Sequence, residues 1–119
     1  MLGLLAGARI LDLSHMLAGP FGSMMMGDLG AEIIKIEPPE GDPMRAMGPH
    51  FFKTESAYFL CANRNKKSVT LDLQTERGRE IFYDLVRQSD VVYDNFRPGV
   101  VQRLKIDPVT LRSINPRLI

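Results

Sequence analysis

The 119-residue chain has one cysteine, Cys61, and no tryptophan. A single thiol closes no internal disulfide. That excludes a small disulfide-stapled scaffold and favours a reducing compartment. Net charge is almost absent as well, at +1. No global field draws the chain onto nucleic acid or an anionic membrane, so any anion site is local. The opening stretch, MLGLLAGARILDLS, has no basic start, and Arg9 and Asp12 interrupt it early. Neither a signal peptide nor a membrane span is expected. There is no Cys/His cluster with zinc spacing, no G-x-S-x-G and no G-x-x-x-x-G-K-[ST], and HMLAGPFG stands where a G-x-G-x-x-G would follow the first strand. These absences argue against a zinc centre, a hydrolase elbow, a Walker loop and a dinucleotide fingerprint.

Hydrophobic residues at 45% and charged residues at 24% are ordinary globular proportions and argue against disorder. ARILDLS (8–14), EIIKIEPP (32–39), SVTLDL (68–73) and the run 90–93 read as strands. The segment after the first strand reads as a helix, with Pro20 in its first turn, Met24, Met25 and Met26 packing, and Gly30 as its C-cap. TERGREIFYDLVRQS (75–89) is the clearest helix. Ile81/Leu85 and Phe82/Val86 lie four apart on one face, Thr75 caps it, and Gly78 is a weak point in its first turn. Residues 40–56 read as a loop of functional length, 57–67 as a short helix ending in a basic turn, and 99–106 and 107–116 as short helices, the last opened by Asp107-Pro108. RLI (117–119) begins another apolar run. Strands alternating with helices predict an α/β domain with a mostly parallel sheet buried on both faces.

Ligands of such sheets collect outside the carboxyl ends of the strands. The turns there feed helix starts whose unpaired N–H groups suit phosphates. Arg97 and Arg103 add guanidiniums for phosphate oxygens. Asn95 both donates and accepts, as a base edge requires. Phe96 has two readings, a wall for a purine or a core residue that ends its strand. The basic turn 63–67 reads as a solvated face, His15 as a local hydrogen-bonding residue and Cys61 as inert.

Taken in order, ILDLSHMLAGPF, GDLGAEIIKIEPPEGDPMR, NRNKKSVTLDL, SDVVYDNFRPGV and INPRLI resemble the amino-terminal part of the class III CoA-transferases. This is the family of formyl-CoA transferase and carnitine CoA-transferase, with α-methylacyl-CoA racemase as a relative. The likeness runs along essentially the whole chain, and five ordered motifs are far more specific than one. It implies a Rossmann-like α/β fold in which residues 1–119 are the front part of a CoA-binding large domain, in a chain that is incomplete or cleaved after residue 119. It also implies an interlocked homodimer. Coenzyme A or acyl-CoA enters as a substrate rather than a tightly bound cofactor, and a carboxylic acid is the second partner. Nucleic acid and membrane are not expected partners. The cytoplasm is the expected location, or a mitochondrion or peroxisome in a eukaryote.

Carried over by position, Leu17 and Ala18 match the family's contact site after the first strand. Leu71, Asp72, Leu73 and Gln74 match its adenosine-side contacts. Asn95, Phe96 and Arg97 match the segment beside the CoA, and Arg103 matches an arginine near the nucleotide phosphates. Two departures stand out. Pro38 occupies the place of a basic residue in some members, so that contact is missing or moves to Arg45. Leu17 stands where formyl-CoA transferase has glutamine, which disfavours oxalate–formate exchange. The resemblance puts the nucleophilic aspartate of the transferases downstream of residue 119, so no catalytic residue is assigned here. Asp12 and Asp28 are read as structural. Two alternatives remain open, a racemase on the same scaffold and a non-catalytic CoA-binding module.

Overall fold

The computed structural model describes residues 3–119. A four-stranded sheet is built from β1 (Arg9–Asp12), β2 (Glu32–Glu37), β5 (Lys66–Thr70) and β6 (Val91–Tyr93). Their order is β5-β2-β1-β6 and every pairing is parallel. The chain steps outward from β1 to β2 and β5, then returns to place β6 on the other side of β1. The strand order therefore reverses between β1 and β6, and a crevice opens there at the carboxyl ends. Ile119 extends the sheet. It donates to Asp90 O at 3.0 Å and accepts from Val92 N at 3.0 Å, the bond pattern of a parallel bridge to Val91.

Period-two alternation sorts the side chains. Leu11, Leu13 and Ile36 face one side, where α3 (Glu76–Arg87) and α5 (Pro108–Ile114) cover them with Phe82, Val86 and Leu111. Ile10 and Ile33 face the other side with Ala31 and Met26. On that second face the strands turn polar toward their carboxyl ends, at Asp12, Lys35 and Glu37, all buried. Burial on both faces is as expected, but half of one face is ionic rather than apolar.

α1 (Ala18–Asp28) carries Pro20 in its first turn. Gly30 follows it at φ +102°, a conformation that costs glycine little. Met24 is buried and Met26 partly so, but Met25 is exposed, so the methionines do not all pack. α3 has the expected cap, Thr75 Oγ1 accepting from Gly78 N at 3.0 Å. Gly78 itself is no weak point: a Cβ there would lie 1.9 Å from the Asp72 carbonyl oxygen. The absent side chain lets helix and turn touch.

Several boundaries differ from the sequence reading. β5 begins two residues before 68 and ends at Thr70, because Lys66 and Lys67 belong to the strand and not to a turn. The expected loop 40–56 contains a 3-10 turn (Pro43–Ala46), capped by Asp42, and an antiparallel pair, β3 (Phe51–Phe52) with β4 (Glu55–Ser56). α2 (Ala57–Ala62) ends before the basic turn, and α4 spans only Val100–Arg103, entered through Gly99 at φ +89°. Asp107 caps α5 as expected, accepting from Val109 N and Thr110 N.

Candidate functional site

At the crevice lies a cleft of ≈ 190 Å³. Leu13 and His15, just past β1, form one wall, and Ile36, Glu37 and Pro38 close the end of β2. The turn after β5 contributes Leu71, Asp72, Leu73 and Gln74. The segment after β6 contributes Phe96, with Val100, Arg103 and Leu104 of α4. Four separate strand ends thus supply one concave surface, mostly apolar with a few polar groups, as ligand sites commonly are.

Of the residues singled out in the sequence, Leu71, Asp72, Leu73, Gln74, Phe96 and Arg103 come together in this cleft. Leu17, Ala18, Asn95 and Arg97 do not line it. Leu17 and Ala18 sit exposed where α1 begins, and Arg97 is exposed beyond Phe96. Asn95 has its amide engaged: Oδ1 accepts from His15 N at 2.9 Å, and Nδ2 donates to His15 O at 2.8 Å. It clamps the loop after β1 rather than presenting a free edge. Phe96 has both a core and a cleft side. It is half-buried against the α3–α5 core, yet lines the cleft with its ring centroid 5.5 Å from that of His15.

Beneath the cleft runs the ionic network on the α1 side of the sheet. Asp12 accepts from Ser14 N at 2.9 Å, from the Ser14 and Ser23 hydroxyls, and from Lys66 Nζ at 3.0 Å. Lys66 also donates to Pro20 O and Asn63 Oδ1, both at 2.9 Å, so it spans β5, α1 and β1. The solvated-face reading fails for this residue: its side chain is 3% exposed. The remainder of the basic turn behaves as expected, with Arg64 exposed and paired to Asp28. Burial pushes the Lys66 ammonium below its ordinary value, and the Asp12 carboxylate opposes the drop.

Lys35 donates to Ser14 O at 2.8 Å and lies 2.8 Å from Asp42 Oδ2, off the angle of a good hydrogen bond. His15 Nδ1 faces that same oxygen across 4.0 Å, too far for a hydrogen bond. Burial would raise the Asp42 carboxyl. The neighbouring His15 and Lys35 and the Met44 amide outweigh it and hold the group below the usual range. Arg45 does not serve as a replacement anion contact. Its guanidinium grips Glu37 through Nε at 2.8 Å and Nη2 at 2.7 Å, reaches Glu55 at 3.3 Å and covers the Phe59 ring at 4.0 Å.

Glu37 carries a measurable consequence. Burial works to raise its carboxyl, but Arg45, Ser68 and the Asp42 amide overcome that and lower it from 4.5 to about 2. Its folded value lies below its unfolded one, so its contribution is present above pH 4.5 and fades as pH falls toward 2. Stability at fixed urea should decline on acidification through that window. Glu37→Gln should flatten that limb of the curve when followed by circular dichroism. A variant with the same acid limb would remove Glu37 from this role.

A family model for CoA-transferase family III matches residues 5–119. The chain belongs to CoA-transferase family III. It is 49% identical over 114 residues to the acetyl-CoA:oxalate CoA-transferase of Acetobacter aceti, covering 95% of this chain and 29% of that protein. It is 46% identical over 116 residues to the succinyl-CoA:glutarate CoA-transferase of Mus musculus, covering 97% of this chain and 27% of the relative. Among solved structures, a CAIB/BAIF family protein from Brucella suis superposes with a TM-score of 0.92 at 41% identity, over 100% of this chain and 32% of that one. The chain thus spans less than a third of the length of these relatives. The α/β fold with a parallel sheet, expected from the resemblance to class III CoA-transferases, is the fold observed. Among the described residues no helix is long and apolar enough to cross a membrane.

The cleft residues that sequence reasoning did not assign to the site are Leu13, His15, Ile36, Glu37, Pro38, Val100 and Leu104. Their signal was positional: each adjoins a strand end or a turn already singled out.

Proposed function

We propose that this protein moves coenzyme A between an acyl-CoA thioester and a carboxylic acid, and that the cleft receives the nucleotide end of coenzyme A. The observation that carries the reading is the meeting of the 71–74 turn, Phe96 and Arg103 in one cleft where the strand order reverses. Phe96 supplies an aromatic wall for a purine, and Arg103 a guanidinium for a phosphate. Asn95 acts through His15, fixing the β1 loop that forms the opposite wall. Leu17 and Ala18, with Arg97, extend the same rim toward the rest of the ligand. The Acetobacter aceti and Mus musculus relatives are CoA-transferases, which favours this reading over racemisation.

The chemistry falls to a carboxylate, an aspartate outside these 119 residues. Its oxygen attacks the thioester carbonyl and expels coenzyme A thiolate, leaving a mixed anhydride. The thiolate then attacks the aspartyl carbonyl, which releases the first acid and forms an aspartyl-CoA thioester. The acceptor acid attacks that thioester, the thiolate leaves again, and its attack on the new acyl carbonyl yields the product and frees the aspartate. Residues 1–119 form the front of the CoA-binding domain of an interlocked homodimer, with coenzyme A as substrate and no tightly bound cofactor. The exposed free thiol of Cys61 suits the cytoplasm.

The test incubates the native protein with succinyl-CoA and a panel of dicarboxylic acids and reads new thioesters by mass spectrometry. Arg103→Ala should weaken coenzyme A binding about tenfold without unfolding the protein. Deuterium exchange at the α-carbon without any new thioester would replace the transferase reading with racemisation.

A further inference from the structure

Among the described residues, two side-chain polar atoms are buried without a hydrogen-bond partner, His15 Nδ1 and Asp42 Oδ2, and they face each other across 4.0 Å. Buried polar groups are seldom left unpaired, and closing this gap to hydrogen-bond range needs a shift of about 1 Å. Asp42 has little freedom to move. Its side chain is fully buried, Oδ1 accepts from Met44 N at 2.9 Å, and Oδ2 lies 2.8 Å from the Lys35 ammonium. The backbone of His15 is held as firmly. Asn95 engages both its N–H and its C=O, and Lys35 donates to Ser14 O on one side of it. On the other side Met16 adopts φ +66°, a conformation that is costly for a residue with a side chain. What remains free is the ring, which lines the cleft and is 26% exposed. Nδ1 is its buried edge. Nε2, on the opposite edge, has no hydrogen-bond partner among the described residues.

We infer that His15 contacts the ligand through Nε2, and that Asp42 is its positioning residue, holding the ring proton on Nδ1. The reason is electrostatic. An unprotonated Nδ1 would aim its lone pair at a carboxylate oxygen, whereas Nδ1–H is attracted to that oxygen. In the neutral ring Nε2 is then an acceptor. It fits a neutral N–H or O–H of the ligand, and not a phosphate or carboxylate oxygen, which is itself an acceptor. The inference rests on the proposed function for its ligand: coenzyme A carries such donors on its adenine amine, its hydroxyls and its pantetheine amides. The buried Lys35–Asp42 pair beneath the cleft thereby acts in recognition, through one ring.

The test pairs ring-nitrogen NMR with binding. Spectra of the ligand-free native protein, with the His15 signals assigned by their loss in His15→Gln, should show the neutral ring protonated on Nδ1. In Asp42→Asn the Met44 amide keeps Oδ1, so the NH2 group replaces Oδ2 and donates to Nδ1, and the ring proton should move to Nε2. Coenzyme A binding then separates contact from support. His15→Asn, which keeps a polar atom only near the Nδ1 position, should weaken coenzyme A about tenfold. His15→Gln, which restores an acceptor near the Nε2 position, should recover part of that loss. A loss shared by adenosine diphosphate assigns the donor to the nucleotide, and one confined to coenzyme A assigns it to the pantetheine part. Unchanged affinity in His15→Asn overturns the contact, as do equal losses in the two His15 variants. A native ring protonated on Nε2 overturns the role of Asp42. If Asp42→Asn does not fold, the native spectrum and the two His15 variants decide alone. Should the native protein bind no coenzyme A, the proposed function fails and the contact with it, while the site of the ring proton still decides the role of Asp42.

Discussion

Asp12→Ala is expected to cost about 3–5 kcal/mol of folding stability, the range found when one partner of a buried ion pair is removed. Asp12 is fully buried, and its two oxygens receive four donors from the loop after β1, from α1 and from β5. Without it the Lys66 ammonium, 3% exposed, keeps only the neutral Pro20 and Asn63 oxygens. A domain of this size holds roughly 5–15 kcal/mol in all, so the loss should be visible as a large fall in the urea midpoint. The pairing has a second signature. Asp12→Leu combined with Lys66→Met should be more stable than Asp12→Ala alone, because it leaves no buried charge unpaired. A single variant within about 1 kcal/mol of the parent would show that water reaches this network and screens it.

Gly78→Ala should destabilise by about 3 kcal/mol, the upper part of the usual overpacking range. Two effects oppose each other. Alanine gains roughly 1 kcal/mol over glycine inside a helix. The new Cβ, however, meets the Asp72 carbonyl oxygen at 1.9 Å and its carbon at 2.7 Å. Both are backbone atoms and cannot rotate aside, so either the helix or the turn must shift. The turn is a cleft wall, so the variant should lose ligand affinity as well as melting temperature. A variant that melts at or above the parent would mean that the turn yields cheaply.

The cleft itself was partly legible in the sequence. Asp72, Gln74, Phe96 and Arg103 were identifiable because polar and turn-forming residues at strand ends mark the rim of a parallel sheet. His15 was visible but undervalued, since neither its neighbour Phe96 nor its clamp Asn95 is close in sequence. Arg45 looked free for an anion only because its partner Glu37 lies in another element.

Local pattern was sufficient for β1, β2, β6, α3 and α5, where apolar spacing and capping residues act within a few positions and need no distant partner. It was also sufficient for the parallel class of the sheet. The start of β5, the fate of Lys66 and the membership of the cleft depended on which strands lie side by side. A lysine is solvated unless a carboxylate from another strand repays its desolvation, and that pairing exists only once β1, β2 and β5 have been laid in register.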